Sequence, residues 1–268
     1  VLTIILWMLL AYAMLPLAWL AVNATKTNAD LFGTFGLAFA DTFALFDNIR
    51  DLFAFQDGIY LRWFLNTILY AVVGAGGAAL ISAMGGYALA KFRFFGRRGV
   101  ILLILGATAV PGTALAVPTY MLFSQWGLVN TELAVIIPAL ASPFGLFLML
   151  VYAQDAVPDG MIEAARMDKA SEWAIYWRIV LPLSLPAIAV LAIFSVMWRW
   201  NDFLWPLIVL NRSEVYTLQI GLNAFQGELD VQWHYVLAMT VVALIPVTLV
   251  FAFLQRFITT GIASSGMK

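Results

Sequence analysis

The 268-residue chain is 63% hydrophobic and 11% charged, with a mean hydropathy of +0.94 and a formal net charge of −1. A soluble domain carries roughly a quarter charged residues, so this composition belongs to an integral membrane protein, and the near-zero net charge leaves no footprint for nucleic acid. The lack of cysteine removes disulfides and thiolate metal or redox sites, and the single histidine, His234, offers no imidazole set for zinc.

Six stretches free of Asp, Glu, Lys and Arg reach twenty residues: 1–25, 63–90, 99–131, 133–154, 179–198 and 231–255. Each is long enough for a helix to cross about 30 Å of hydrocarbon at 1.5 Å per residue, and none shows the short alternating segments of a β-barrel. The sequence therefore predicts an all-α polytopic membrane protein. Its single transmembrane domain spans 1–268, with helices at about 1–25, 64–90, 99–123, 131–153, 181–210 and 234–258. The segments 91–98, 155–178 and 256–268 hold four, three and two Lys or Arg, against three, none and two for 26–62, position 132 and 199–230. The first set is thus expected in the cytosol, and the C-terminus with it.

In chain order, residues 1–25 are apolar from Val1 onward. They read as a first span, because the run is long and no small-residue cleavage pattern follows. Residues 26–62, with five Asp and repeated Phe, read as an extracytoplasmic loop with some fold of its own, covering bundle or partner surface, or as a plain spacer. The second span carries Gly74, Ala78, Ser82 and Gly86 every fourth position, a stripe that lets another helix approach closely. The turn Lys91-Phe92-Arg93-Phe94-Phe95-Gly96-Arg97-Arg98 is basic, and contact with membrane phospholipid suffices to explain it. Pro111, Gly112 and Pro118 in the third span and Pro138 and Pro143 in the fourth mark kinks beside a pathway or simple packing bends.

The segment from Asp155 to Arg178 holds eight charges in twenty-four residues. Placing it in lipid would cost about 20 kcal/mol or more, so it lies in water, as a loop over about 154–180. Pro158 suits a first helical turn, Asp159 and Glu163 favour the positive helix start, Glu163 can meet Arg166 at i,i+3, and Ser171 can cap a second helix. Met161, Ala164, Ala165 and Met167 form a narrow apolar face suited to a groove on another protein. In the fifth span Arg199 lies about 27 Å beyond Leu181, near the outer boundary, where Asp202 at i,i+3 can pair with it. Trp198, Trp200 and Trp205 then form either an aromatic belt with a snorkelling Arg or the lining of a sugar path, with rings stacking on C–H faces while Asn201 and Asp202 accept hydroxyl protons.

Glu163-Ala164-Ala165, followed by Ile179-x-Leu181-Pro182, resembles the EAA loop of inner-membrane permeases of binding-protein-dependent ABC importers. Lys169 stands where that family usually has Gly, and Lys favours continued helix there. Further residues match in register: Asn66, Phe92-Arg93-Phe94-Phe95-Gly96-Arg97, Trp200-Asn201-Asp202-Phe203 with Pro206-Leu207, Tyr216 to Leu222, and the tail from Gln255 to Lys268. Together they look like the permease subunit of maltose-transporter-type sugar importers. The resemblance implies the type I ABC importer permease fold in a bacterial inner membrane, with Glu163, Ala164, Ala165, Arg166, Met167, Asp168, Lys169, Ala170 and Ser171 as the coupling element. Partners implied are a second homologous permease, two ATPase subunits forming a homodimer that carries ATP and Mg, and an extracytoplasmic substrate-binding protein. The cargo implied is a di- or oligosaccharide, or alternatively glycerol phosphate or a related polyol ester.

No phosphate-binding Gly-rich loop with Lys and Ser/Thr occurs, so this chain is expected to bind no cofactor and to be no enzyme itself. An ion-gradient-driven secondary transporter would carry ionisable residues in mid-membrane and internal repeats, and a membrane enzyme would carry a clustered nucleophile, base or metal set. Neither pattern is visible.

Overall fold

The computed structural model describes residues 2–226 and 232–265, with side chains for 2–225 and 232–256. All regular structure among the described residues is helical. Five helical stretches are long and apolar enough to cross a membrane, six if a pair bent by 98° counts as one span. The chain divides into two compact units, residues 1–66 with 212–246 and residues 67–211 with 247–268.

In the first unit, α1 (Leu2–Ala24) turns its apolar side chains outward along its whole length and buries only Asn23 and Ala24. Such a helix is stable only against lipid or another subunit. The loop beyond it does have a fold of its own. α2 (Asn28–Gly33) is capped by Thr27, whose hydroxyl accepts from the Asp30 N–H, and α3 (Leu45–Ala54) follows. Asn48 donates to the carbonyls of Ala24 and Lys26, while the buried Lys26 ammonium donates to the Phe35 carbonyl. Those bonds satisfy backbone acceptors that would otherwise be stranded in the loop interior. Where α4 (Ile59–Lys91) begins, Trp63 donates to the Ser213 carbonyl, and Asn66 to those of Glu214 and Tyr216. These bonds tie down the start of the segment that holds the matching residues Tyr216 to Leu222. Residues 227–231 lie outside the described residues, as do 266–268 of the predicted cytosolic tail.

The second unit holds the remainder of α4, then α5 (Arg97–Ala109), α6 (Ala116–Gln125), α7 (Glu132–Leu140) and α8 (Pro143–Ala156). The predicted helix over 99–123 is in fact broken. Pro111 has no N–H to donate and drives Val110 into extended backbone, so α5 stops at Ala109 and the chain bends by 98° before α6. The fourth span stays one stretch over Glu132–Ala156 but breaks its helical bonding at Ala141-Ser142, where Ser142 accepts from the Gly145 N–H and Pro143 opens α8. The small-residue stripe of α4 packs against this broken span. A Cβ placed on Gly86 would lie 2.5 Å from the Cβ of Met149 and 2.7 Å from the Leu150 nitrogen, so only glycine permits that approach.

After α9 (Asp159–Met167), α10 (Glu172–Ile175) runs through a π-helical turn at Tyr176–Val180 directly into α11 (Leu181–Trp200). Pro182 cannot donate to the carbonyl one turn earlier, and the wider turn accommodates it, with the Leu181 N–H bonded to the Tyr176 carbonyl. The predicted helix over 181–210 therefore starts earlier and ends at Trp200. A separate α12 (Leu204–Val209) follows, and in the first unit α13 (Leu218–Gln226) leads toward α14 (Trp233–Ser265), which continues into the second.

Candidate functional site

The charged elbow between the fourth and fifth spans is built on one buried side chain. Ile162, 3% exposed, enters a core of Tyr87 from α4, Val157 after α8, and Ile175, Tyr176 and Val180 from α10 and its π-turn. Every third or fourth residue on the opposite face of α9 is open to solvent: Gly160, Glu163, Ala164 and Met167, with Met167 83% exposed. The predicted apolar face is thus split, because Ala165 turns inward while Met161, Ala164 and Met167 face out.

Lys169 corrects the expectation of continued helix. It adopts the left-handed conformation, φ 60°, and the chain reverses there as it would at glycine. The Ala170 N–H bonds to the Ala165 carbonyl and the Lys169 N–H to that of Arg166, the paired bonds of a Schellman helix end. Ala165 and Ala170 both pack on the Ile162 core, which supplies the apolar contact this motif favours. Local geometry therefore outweighs the cost of about 1–2 kcal/mol for placing a side chain in this region. Asp168 is the exposed cap residue before it, and Ser171 accepts from the Ala174 N–H, capping α10 as predicted.

Arg166 also departs from expectation. It pairs not with Glu163 but across the turn with Glu172, at 2.7 and 3.2 Å, and its guanidinium lies 5.7 Å from the centre of the Phe92 ring. The bidentate bond to Glu172 is the main reason its acidity is weakened further. Glu163 is left exposed and without an ion pair among the described residues. At the other end of α9, Lys91 donates to Asp159 at 2.7 Å. That bond, then the positive charge of Lys91, holds the Asp159 carboxyl below the usual carboxylate range.

The interrupted spans wall a second feature. A cavity of about 570 Å³ is lined by Thr113, Thr119, Pro138, Arg199, Asp202 and Trp205, and an adjoining one of about 620 Å³ by Thr108, Ser142, Phe144, Ser195, Trp198 and Arg199. Arg199 and Asp202 pair at 3.7 Å on these walls. Trp198 stands 6.0 Å from Phe144, centre to centre, while Trp205 donates to the Ala134 carbonyl. Of the predicted path residues, Trp198, Asp202 and Trp205 line the cavities. Trp200 is buried, Asn201 turns its amide back to the Met197 carbonyl, and neither lines them. Sequence reasoning missed Ile162 as the anchor and Glu172 as the partner of Arg166. The sequence signals for the cavity were the prolines at 111, 138 and 143 and the reading of the Trp198–Asp202 segment as the lining of a sugar path.

Broken spans around a partly polar cavity, joined by a water-exposed helical elbow, define a polytopic helical permease. The family described as the binding-protein-dependent transport system inner membrane component matches residues 75–264, and the chain belongs to it. The arabinooligosaccharides transport system permease protein AraQ of Halalkalibacterium halodurans is 34% identical over 257 residues, 96% of this chain and 91% of AraQ. The lactose transport system permease protein LacG of Rhizobium radiobacter is 33% identical over 93% of this chain and 89% of LacG. Among solved structures, a bacterial ABC transporter involved in the import of the acidic polysaccharide alginate has a chain that superposes with a TM-score of 0.83. The match covers 95% of this chain and 94% of that one at 24% identity, a likeness of fold.

Proposed function

We propose that this chain is one of two permease subunits of an ATP-driven importer for an oligosaccharide, with separate ATPases docking on the elbow at Glu163 to Ser171. The observation that carries the reading is the division of α9 into a buried anchor, Ile162, and an exposed face of Gly160, Glu163, Ala164 and Met167. A partner that grips the exposed face pulls, through Ile162, on Tyr87 of α4 and on the head of the continuous α10–α11 helix. Motion at the elbow is thus delivered to the spans that wall the cavity. ATP closure shifts the bundle between inward- and outward-facing states only if the elbow is held differently in the two. In this reading the elbow and the C-terminus are cytosolic, ATP and Mg reside on the ATPases, and an external binding protein delivers cargo.

Relatives whose names specify arabinooligosaccharides and lactose support a sugar cargo. The cavity walls suit it as well. Trp198 and Phe144 offer flat faces, Thr108, Thr113 and Thr119 offer hydroxyls, and the one cation among the residues named above, Arg199, has Asp202 against it. The test is Glu163→Lys in the reconstituted importer. Substrate-stimulated ATP hydrolysis is expected to vanish while the subunit still inserts, and unchanged stimulation would overturn the coupling role.

A further inference from the structure

Beside the elbow lies a cavity of about 320 Å³ that the transport reading leaves unused. Lys91, Arg93, Arg97, Arg166, Asp159 and Glu163 line it. Its four cations outnumber its two carboxylates. Lys91 is held by Asp159, Arg166 by Glu172, and Arg97 spends its guanidinium on the carbonyls of Leu89 and Ala90, the nearer at 2.6 Å. Arg93 is exposed and makes no ion pair among the described residues, its charge acting only weakly on Asp159, which Lys91 already holds. The cavity sits where α4 ends and α5 begins, at the cytosolic end of both helices in the orientation proposed above. On the same turn Phe95 is fully exposed and Phe94 nearly half exposed. Exposed aromatic rings next to cations at a span terminus fit the headgroup level of a bilayer, and basic pockets between spans on the cytosolic side suit phosphate headgroups.

We infer that this cavity binds the headgroup phosphate of an anionic phospholipid, with Arg93 as its free cation and the coupling helix as one wall. The exposed Phe pair favours a lipid over an acidic side chain of another protein, which would leave both rings in water. Because Asp159, Glu163 and Arg166 belong to the elbow, an occupied site ties the coupling helix to the membrane surface. The inference needs the cytosolic side proposed above but not the ATPase contact, and it is read by lipid binding alone.

The test uses the assembled importer, exchanged into nanodiscs of phosphatidylcholine with a minor share of phosphatidylglycerol and then delipidated stepwise, with retained lipid counted by native mass spectrometry. The wild type is expected to retain phosphatidylglycerol in preference to phosphatidylcholine. Arg93→Gln is expected to reduce that retention about fivefold, the factor for one cation near a charged membrane surface. Arg98→Gln, on the same turn but outside the cavity, is expected to leave it unchanged. Equal retention in the wild type and Arg93→Gln would overturn the site, as would equal loss in both variants. Displacement of the lipid by millimolar inorganic phosphate would make it a free-anion site instead. Weaker ATPase assembly in Arg93→Gln with lipid retention intact would assign Arg93 to a protein contact.

Discussion

Replacing Ile162 by Ala tests whether the elbow acts as a lever. Ile162 is 3% exposed and is the deeply buried side chain that α9 contributes to its core. Truncation removes three carbons, worth about 2.4 kcal/mol at ~0.8 kcal/mol each, and the cavity left behind brings the total to roughly 2–5 kcal/mol. The polar ties of α9 hold much less firmly, because Asp159 is open to solvent and Arg166 only slightly shielded. Losing the apolar anchor therefore loosens the helix from Tyr87 of α4 and from the head of the α10–α11 helix. The assay is ATP hydrolysis by the reconstituted importer with and without loaded binding protein, beside sugar uptake and co-purification of the ATPases. Ile162→Ala is expected to keep the ATPases bound, to lose most substrate stimulation and to lower uptake at least tenfold, whereas Asp159→Asn keeps both near wild type. Normal uptake and stimulation in Ile162→Ala would refute the lever.

Lys169→Gly is expected to stabilise the elbow by about 1 kcal/mol by relieving the left-handed strain, seen as slower amide exchange over 159–175. Gly86→Ala is expected to lower the thermal stability of the purified subunit by about 1–3 kcal/mol, because its new methyl meets the backbone of Met149 and Leu150. Both are checked on detergent-solubilised protein, and a stabilised Gly86→Ala would contradict the close α4–α8 approach. Asp202→Asn leaves Arg199 unpaired on the cavity wall. It is expected to cut neutral-sugar uptake severalfold while binding-protein affinity stays unchanged, as measured by uptake of labelled sugar.

Charge-free runs located the spans because burying a charge in hydrocarbon is costly enough to leave a plain mark on the sequence. The breaks were less visible. Pro111 and Pro138 are both prolines in apolar runs, yet α7 continues through Pro138 while the chain turns sharply at Pro111, since neighbouring packing decides which carbonyl is left free. The cap at Ser171 was legible because it is local. The Arg166–Glu172 pair was not, because it depends on the chain reversing at Lys169, a conformation that residue type argues against. Trp198 and Trp200 look alike in sequence, and only the end of α11 decides that one ring lines the cavity and the other is buried.

The central claim is that a separate ATPase grips the exposed face of α9. The chain has no cysteine, so Met167→Cys provides a single thiol on that face. Maleimide labelling of this variant, with and without the ATPase subunits assembled, measures the contact directly. Strong labelling of the permease alone and protection in the full complex is the predicted result. Equal labelling in both would mean that nothing docks there.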